Sequence, residues 1–174
     1  IYLTDIPEVT FGGSLDNISV HSSEEVLICI GDCKIRSRIS DFLNSRGINL
    51  GKFIHPSAVI SSFAQIETGC IILPFSCIST DAFIGCNTII NSHVAVGHHA
   101  TIGPNSVISP QCLISGGARL GSETFLGAAS IITPGKSIGS SSKIAAGSVV
   151  YRNAEPGAFL SGNPAKNFRK VKNG

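Results

Sequence analysis

The chain has 174 residues, of which 43% are apolar and 14% charged, and its formal net charge is +2. This composition excludes a disordered chain and suits one domain with a small appendage. The weak charge argues against a nucleic-acid partner, and no apolar run reaches the roughly 18 residues of a membrane span. The chain contains no methionine, not even at its start, which predicts a trimmed or partial sequence.

Residues 1–50 predict a partial α/β segment. Val26–Ile30 is a continuous apolar run, typical of a buried parallel strand, and residues 1–5 indicate another short strand. A helix is predicted next, ending near Gly47, with one apolar face formed by Ile35, Ile39, Phe42 and Leu43. Two parallel strands do not form a stable domain alone, so we expect a neighbouring element upstream of Ile1.

A strict six-residue repeat follows the helix. From residue 54 to residue 150, every sixth residue is Ile, Val or Leu, without insertion. These anchor positions are 54, 60, 66, 72, 78, 84, 90, 96, 102, 108, 114, 120, 126, 132, 138, 144 and 150. An α-helix would spread anchors with this spacing over three directions, so the repeat excludes an amphipathic helix.

Proline and glycine mark where each hexad turns. Between residues 54 and 149, every proline lies two residues after an anchor and every glycine one to three residues after one. Because proline fixes φ and glycine permits positive φ, each hexad carries a turn at its second to fourth residues and extended backbone elsewhere. We therefore predict stacked coils of short strands over residues 51–152, with anchors pointing inward; three hexads per coil would make a triangular prism.

The tail, residues 153–174, is basic. Gly162–Lys172 contains four cationic residues and no acid. It is interpreted either as a short C-terminal helix that caps the last coil or as a contact for phosphate groups.

Three histidines stand close together in a segment poor in charge. His93, His98 and His99 lie within seven residues, none at an anchor position, while residues 54–149 hold only six charged side chains. His98 lies at a turn and should project from the prism surface. Because histidine is the side chain best suited to take a proton near neutral pH, the cluster predicts an active site.

The sequence resembles the hexapeptide-repeat acyltransferases, and within them the bacterial sialic-acid O-acetyltransferases and UDP-4-amino-sugar N-acetyltransferases. Beyond the repeat, the shared residues are Ile30-Gly31-Asp32 with Arg36, Ile54-His-Pro-Ser-Ala58, Asn91, His98, Ile102-Gly103, Gly116 and Gly162-Asn-Pro-Ala-Lys166. The resemblance implies a left-handed parallel β-helix, a homotrimer, and acetyl-CoA as co-substrate. It implies acetyl transfer to a bacterial sugar or nucleotide sugar for surface glycan synthesis in the cytoplasm.

The resemblance also implies roles for individual residues. His98 matches the family's general base, and Asn91 matches the residue that contacts the acceptor group. Gly116 matches the glycine whose N–H faces the thioester oxygen, and it follows His98 by three hexads, which places it one coil above. CoA is expected along Gly116, Gly117 and Pro134, in the groove between neighbouring prisms, with Lys166 or Arg169 near its phosphates.

The resemblance implies fewer residues for the binding of the acceptor sugar. Asp5, Gly31 and Asp32 match the part of the family that binds the nucleotide sugar, whose opening strand and glycine-rich turn precede the first residue here. His93 and His99 are candidates for binding substrate or for orienting His98, and the alternative that either is simply a solvated side chain stays open. The family usually places an acid beside its base, whereas here the neighbours are Gly97 and His99, so the group that orients His98 stays open.

Two alternatives use the same fold. A γ-carbonic-anhydrase-like zinc protein has two histidines five residues apart, as His93 and His98 are, but Ser57 occupies the place of the third ligand; we expect no metal. A non-catalytic scaffold is the other alternative. The six cysteines form no Cys-x-x-Cys pair and are expected to be free thiols in a reducing compartment. Whether nitrogen or oxygen is acetylated, and on which sugar, stays open.

Overall fold

The computed structural model describes residues 15, 18, 20 and 24–168, and most of them form a column of short strands. One helix, α1 (Cys33–Ser45), precedes the column. The strands are β1 (Phe53–Ile54), β2 (Val59–Ile60), β3 (Gln65–Ile66), β4 (Ile71–Ile72), β5 (Cys77–Ile78), β6 (Phe83–Ile84), β7 (Ile89–Ile90), β8 (Ala95–Val96), β9 (Thr101–Ile102), β10 (Val107–Ile108), β11 (Leu113–Ile114), β12 (Arg119–Leu120), β13 (Phe125–Leu126), β14 (Ile131–Ile132), β15 (Ser137–Ile138), β16 (Lys143–Ile144), β17 (Val149–Val150), β18 (Phe159–Ser161) and β19 (Lys166–Asn167).

The strands stack into three sheets, which are the three sides of a prism. The eight-stranded sheet has the order β1-β4-β7-β10-β13-β16-β18-β19, the six-stranded sheet β17-β14-β11-β8-β5-β2, and the five-stranded sheet β15-β12-β9-β6-β3. From β1 to β14, each strand pairs in parallel with the third strand after it, as Ala95 of β8 does with Leu113 of β11. Three hexads therefore form one coil. The prediction of a left-handed parallel β-helix is confirmed.

The core is the inward row of anchors. From Ile72 to Val150 every anchor is at most 3% exposed, whereas Ile54 is 41% exposed. The difference arises because the first coil is the open lower end of the prism, where no coil lies beneath to cover the anchor. Burial of one such side chain contributes about 1.5–3 kcal/mol to folding.

Positive φ at the corners is not confined to glycine. Ten non-glycine residues, each three positions after an anchor, adopt positive φ. Most of their N–H groups donate to the coil below; His99 N, for example, bonds to Thr80 O at 3.1 Å. This ladder holds side chains other than glycine in a left-handed conformation that they seldom adopt alone.

The segment before the prism is only partly as predicted. Helix α1 forms, and Cys33 at its start packs with Ile71, Ile89 and Val107 of the eight-stranded sheet. The predicted strand Val26–Ile30 is not formed. Val26 makes a single parallel bridge to Leu50, because within the described residues no further strand lies beside it.

A buried arginine joins this segment to the prism. Arg36 is fully buried, and its Nη2 donates to the backbone oxygen of Asn87 at 2.7 Å. It also donates to the backbone oxygens of Ile28 and Ile30. The boundaries that we predict for the three parts of the chain, at residues 51 and 153, stay a prediction.

The described part of the tail contains strands, so the predicted short C-terminal helix is wrong for residues 153–168. Strand β18 continues the stack above β16, and β19 turns back to pair with β18 in antiparallel, with Leu160 opposite Asn167. A strand that adds to an existing stack finds its backbone partners immediately, which an isolated short helix does not. Within the described ranges, the structure has no helix long and apolar enough to cross a membrane.

Candidate active site at one edge of the prism

The predicted base and oxyanion donor lie on the same edge. We call the corner between the six- and five-stranded sheets the His98 edge; it consists of residues 61–64, 79–82, 97–100, 115–118, 133–136 and 151–153. In the turn 97–100, His98 and His99 are exposed, whereas Ala100 is buried and packs with the anchors in the core.

The His98 ring rests directly against Gly116, one coil above. A Cβ atom built on Gly116 would lie 2.6 Å from His98 Nε2 and 2.7 Å from Cε1. Only glycine therefore leaves room for the ring in this position. The Gly116 N–H has no hydrogen-bond acceptor among the described residues, whereas Gly117 N donates to the His98 carbonyl oxygen at 2.8 Å. The His98 imidazole thus lies against a residue whose backbone donor is unused.

His99 lies beside His98 and above an acid. The two Nδ1 atoms of His98 and His99 are 3.1 Å apart, and the rings meet edge to face with centroids 5.3 Å apart. On its other side, His99 Nε2 lies 3.6 Å from Oδ2 of Asp81, in the coil below. Asp81 was not predicted as a site residue, although its position three hexads before His99 was a usable signal.

Asn91 and His93 lie on a different edge from His98. They belong to the corner between the eight- and six-stranded sheets. The Asn91 Nδ2 donates to the Ile108 carbonyl oxygen at 2.9 Å, and the His93 ring stacks on Phe75 with centroids 5.0 Å apart. Within one chain the structure does not bring these two residues to His98.

Above Gly116, the turn of the next coil carries Pro134, Gly135 and the half-buried Lys136. Arg152 follows three coils above His98. Arg152, Tyr151 and Lys166 line a cavity of about 430 Å³. Counting in steps of three hexads from His98 would have found Arg152, which the sequence interpretation missed.

The acceptor residues predicted near the N-terminus are only partly within the described ranges. Asp32 caps α1, since its Oδ1 accepts from the N–H groups of Lys34 and Ile35, each at 3.0 Å. These hydrogen bonds, that from Ile35 above all, hold the pKa of the Asp32 carboxyl below its usual value. Gly31 and Asp32 line a cleft of about 270 Å³ beside the eight-stranded sheet. Asp5 and Arg169 lie outside the described residues.

The outward positions of the six-stranded sheet are all apolar. They are Val59, Cys77, Ala95, Leu113, Ile131 and Val149. Val59 is 67% exposed and Leu113 38%. We call these six residues the apolar stripe. It lies between the edge of Asn91 and the His98 edge.

The part of the chain that the structure describes has no cluster of metal ligands. No group of three or more His, Cys, Asp and Glu side chains there is placed to hold a metal ion. All six cysteines are free; Cys29 and Cys77 are exposed, and Cys33, Cys70 and Cys112 are buried. Burial raises the pKa of the Cys70 thiol to about 11.

Comparison with known proteins agrees with this architecture. Residues 81–116 match the family model described as bacterial transferase hexapeptide (six repeats), and residues 117–152 match that of the hexapeptide repeat of succinyl-transferase. The structure is similar to that of a perosamine N-acetyltransferase variant from Caulobacter crescentus in complex with CoA and GDP-perosamine. The two are 30% identical with a TM-score of 0.81, over 83% of this chain and 69% of that one. The chain is a hexapeptide-repeat acyltransferase of the bacterial sugar acetyltransferase branch.

Two further members of this fold are similar over more of the chain. The acetyltransferase domain of PglB from Neisseria gonorrhoeae is 26% identical, with a TM-score of 0.85, over 88% of this chain and 75% of that one. WeeI from Acinetobacter baumannii is 23% identical, with a TM-score of 0.83, over 92% of this chain and 81% of that one, and shows the fold alone. A comparison with curated proteins finds no match. The solved structures and the family models together confirm the prediction of an acyltransferase.

Proposed function

We propose that the protein transfers an acetyl group from acetyl-CoA to an amino or hydroxyl group of a bacterial sugar or nucleotide sugar, in the synthesis of a surface glycan. The observation that carries this proposal is the contact between His98 Nε2 and Gly116, whose N–H has no acceptor among the described residues. A base and an oxyanion donor at one place are what acyl transfer needs. The perosamine N-acetyltransferase with CoA and GDP-perosamine supports this class of substrate.

The reaction proceeds without an acyl-enzyme. The acceptor nitrogen or oxygen attacks the thioester carbon while His98 Nε2 removes the acceptor's proton. The Gly116 N–H stabilises the oxyanion of the tetrahedral intermediate; the C–S bond then breaks, and the proton passes to the CoA sulfur. General-base catalysis typically contributes about 10²–10⁴ in rate, and one oxyanion donor about 10²–10³.

CoA lies along the His98 edge, with its thioester at Gly116 and its phosphates at the top coil. Gly117 and Pro134 are small residues along this path, beside the half-buried Lys136. Arg152 and Lys166 line the cavity where it ends. Two cations near one cavity suit a ligand rich in phosphate. Arg169, which follows in the tail, is a further candidate for this contact.

The active site is completed between chains of a homotrimer. The apolar stripe supports this proposal, because an exposed apolar face of this kind is typical of a protein interface. A neighbouring prism packed on the stripe would bring its own Asn91 and His93 towards the His98 edge. In that arrangement Asn91 positions the acceptor, and the nucleotide part binds near Gly31 and Asp32 with Asp5.

Thiol release from acetyl-CoA, measured over a panel of amino and hydroxyl sugars and their nucleotide derivatives, tests the proposal. We expect turnover with at least one acceptor, and a fall in kcat of about 10²–10⁴ for His98→Ala. The matched control is His55→Ala, a histidine of the first coil whose Nδ1 accepts from Ser57 N at 3.1 Å; it should keep its kcat. A His98→Ala enzyme with undiminished turnover would refute the assignment.

A further inference from the structure

His98 has no acid beside it in sequence, but it is linked to one in space. Its Nδ1 lies 3.1 Å from Nδ1 of His99, and His99 Nε2 lies 3.6 Å from the Asp81 carboxylate. The three side chains therefore form a continuous series along the His98 edge, which ends at the Nε2 that faces Gly116.

Only one placement of the ring protons on His98 and His99 fits these contacts and leaves His98 able to act as a base. The carboxylate of Asp81 favours a proton on Nε2 of His99, which leaves His99 Nδ1 as an acceptor. Nδ1–H of His98 then donates to His99 Nδ1, so the neutral His98 ring carries no proton on Nε2. The hydrogen bond that one ring nitrogen makes decides which form the other takes.

We propose that Asp81 and His99 are positioning residues, which fix the His98 ring in the Nδ1–H form with Nε2 free to take the acceptor's proton. This inference rests on the proposed function and adds to it the source of the base's orientation.

The coil register builds this arrangement from the sequence. Asp81 and His99 are three hexads apart and both adopt the left-handed corner conformation, with φ of 55° and 57°. One coil therefore places the carboxylate directly below the His99 ring. Asp81 Oδ2 also accepts from Thr80 Oγ1 at 3.2 Å, which limits the rotation of the carboxylate.

The side chains of His99 and Asp81 are 65% and 54% exposed. A pair this exposed contributes little to the free energy of unfolding. Variants at these two positions should therefore fold, and changes in their turnover report on the reaction. Ala129 adopts φ of 55° in the same protein, so alanine is tolerated at a corner of this kind.

The first experiment compares steady-state kinetics of His99→Ala and Asp81→Asn with the wild type. We expect kcat to fall about tenfold for His99→Ala, by analogy with the lower end of the range for groups that orient a metal-binding histidine. Asp81→Asn, which acts only through His99, should lower kcat about threefold, with each KM within about twofold. Asp41→Asn, which removes an exposed carboxylate of α1, is the matched control and should keep its kcat.

Three readouts separate positioning from a merely structural role. Asp81→Asn should have no further effect in the His99→Ala background. His99→Asn should restore most of kcat, because its amide oxygen can accept from His98 Nδ1–H and asparagine tolerates positive φ. Ring ¹⁵N NMR at a pH where His98 is neutral should show the Nδ1–H form in the wild type and a shift to Nε2–H in His99→Ala.

The outcomes distinguish this inference from the proposed function. If His98→Ala is inactive while His99→Ala and Asp81→Asn keep the wild-type kcat, the positioning role is overturned and the proposed function stands. Additive losses in the double variant, or a His98 ring form that His99→Ala leaves unchanged, overturn it as well. Full activity of His98→Ala would instead remove the proposed function.

Discussion

Replacing Gly116 with alanine should disable the reaction while leaving the fold intact. The new Cβ would lie 2.6 Å from His98 Nε2, whereas ordinary contact begins at 3.4 Å, so the ring must retreat by about 0.8 Å. Gly116 has no positive φ, and the obstruction is the end of an exposed side chain that can swing away. A displacement near 1 Å at a reacting group costs about 10² in rate, whereas the free energy of unfolding should change by less than about 0.5 kcal/mol.

The assay pairs thiol release from acetyl-CoA with thermal unfolding. Gly147→Ala is the matched control, since Gly147 has φ of 66° and open space around its Cβ position. It should lose about 1 kcal/mol of stability to the left-handed conformation and keep its kcat. We therefore expect Gly116→Ala to lose activity and keep its stability, and Gly147→Ala to lose stability and keep its activity. A Gly116→Ala enzyme with wild-type kcat would refute the role assigned to this contact.

Three further predictions concern stability and thiol reactivity. Arg36→Met should lower the free energy of unfolding by about 3 kcal/mol, measured by denaturant titration, because buried acceptors such as the Asn87 carbonyl oxygen lose their donor; unchanged stability would contradict this. Because the pKa of Cys70 is raised to about 11, only about one thiol in a thousand is ionised at pH 8. Because the Cys70 side chain is also fully buried, alkylation followed by mass spectrometry should spare Cys70 in the folded protein and modify it only after denaturation. Cys77, on the apolar stripe, should react only when the trimer is dissociated; equal reactivity in both states would argue against the proposed interface.

The sequence predicts the prism well because its pattern is both strict and cooperative. Each anchor is an apolar residue, and the anchors three hexads before and after it stack on it in the adjacent coils. The inward orientation of one anchor is therefore indicated at several positions of the sequence at once. The segments outside the repeat lack this redundancy. An apolar run such as Val26–Ile30 indicates a strand, but it does not show which strand would pair with it. The few residues after β18 form a strand because they can pair with the strands that already stand in the stack.

The spacing of the repeat also explains which parts of the site could be predicted. A spacing of three hexads places Gly116 above His98 and Asp81 below His99, so contacts along one edge are implicit in the numbering. The sequence numbering does not show which way a histidine ring nitrogen points. It also does not show which residues of different edges come into contact. Asn91 matches the family pattern, yet it lies on another edge, so its proposed role depends on a neighbouring chain.

We propose that acyl transfer takes place between His98 Nε2 and the Gly116 N–H. A crystal structure with CoA and a sugar acceptor is the decisive test. We expect the CoA sulfur beside Gly116, the acceptor atom within hydrogen-bond reach of His98 Nε2, about 2.6–3.2 Å, and the phosphates near Arg152 and Lys166. A thiol bound at the edge of Asn91 in the same chain, or at the cleft beside α1, would contradict it.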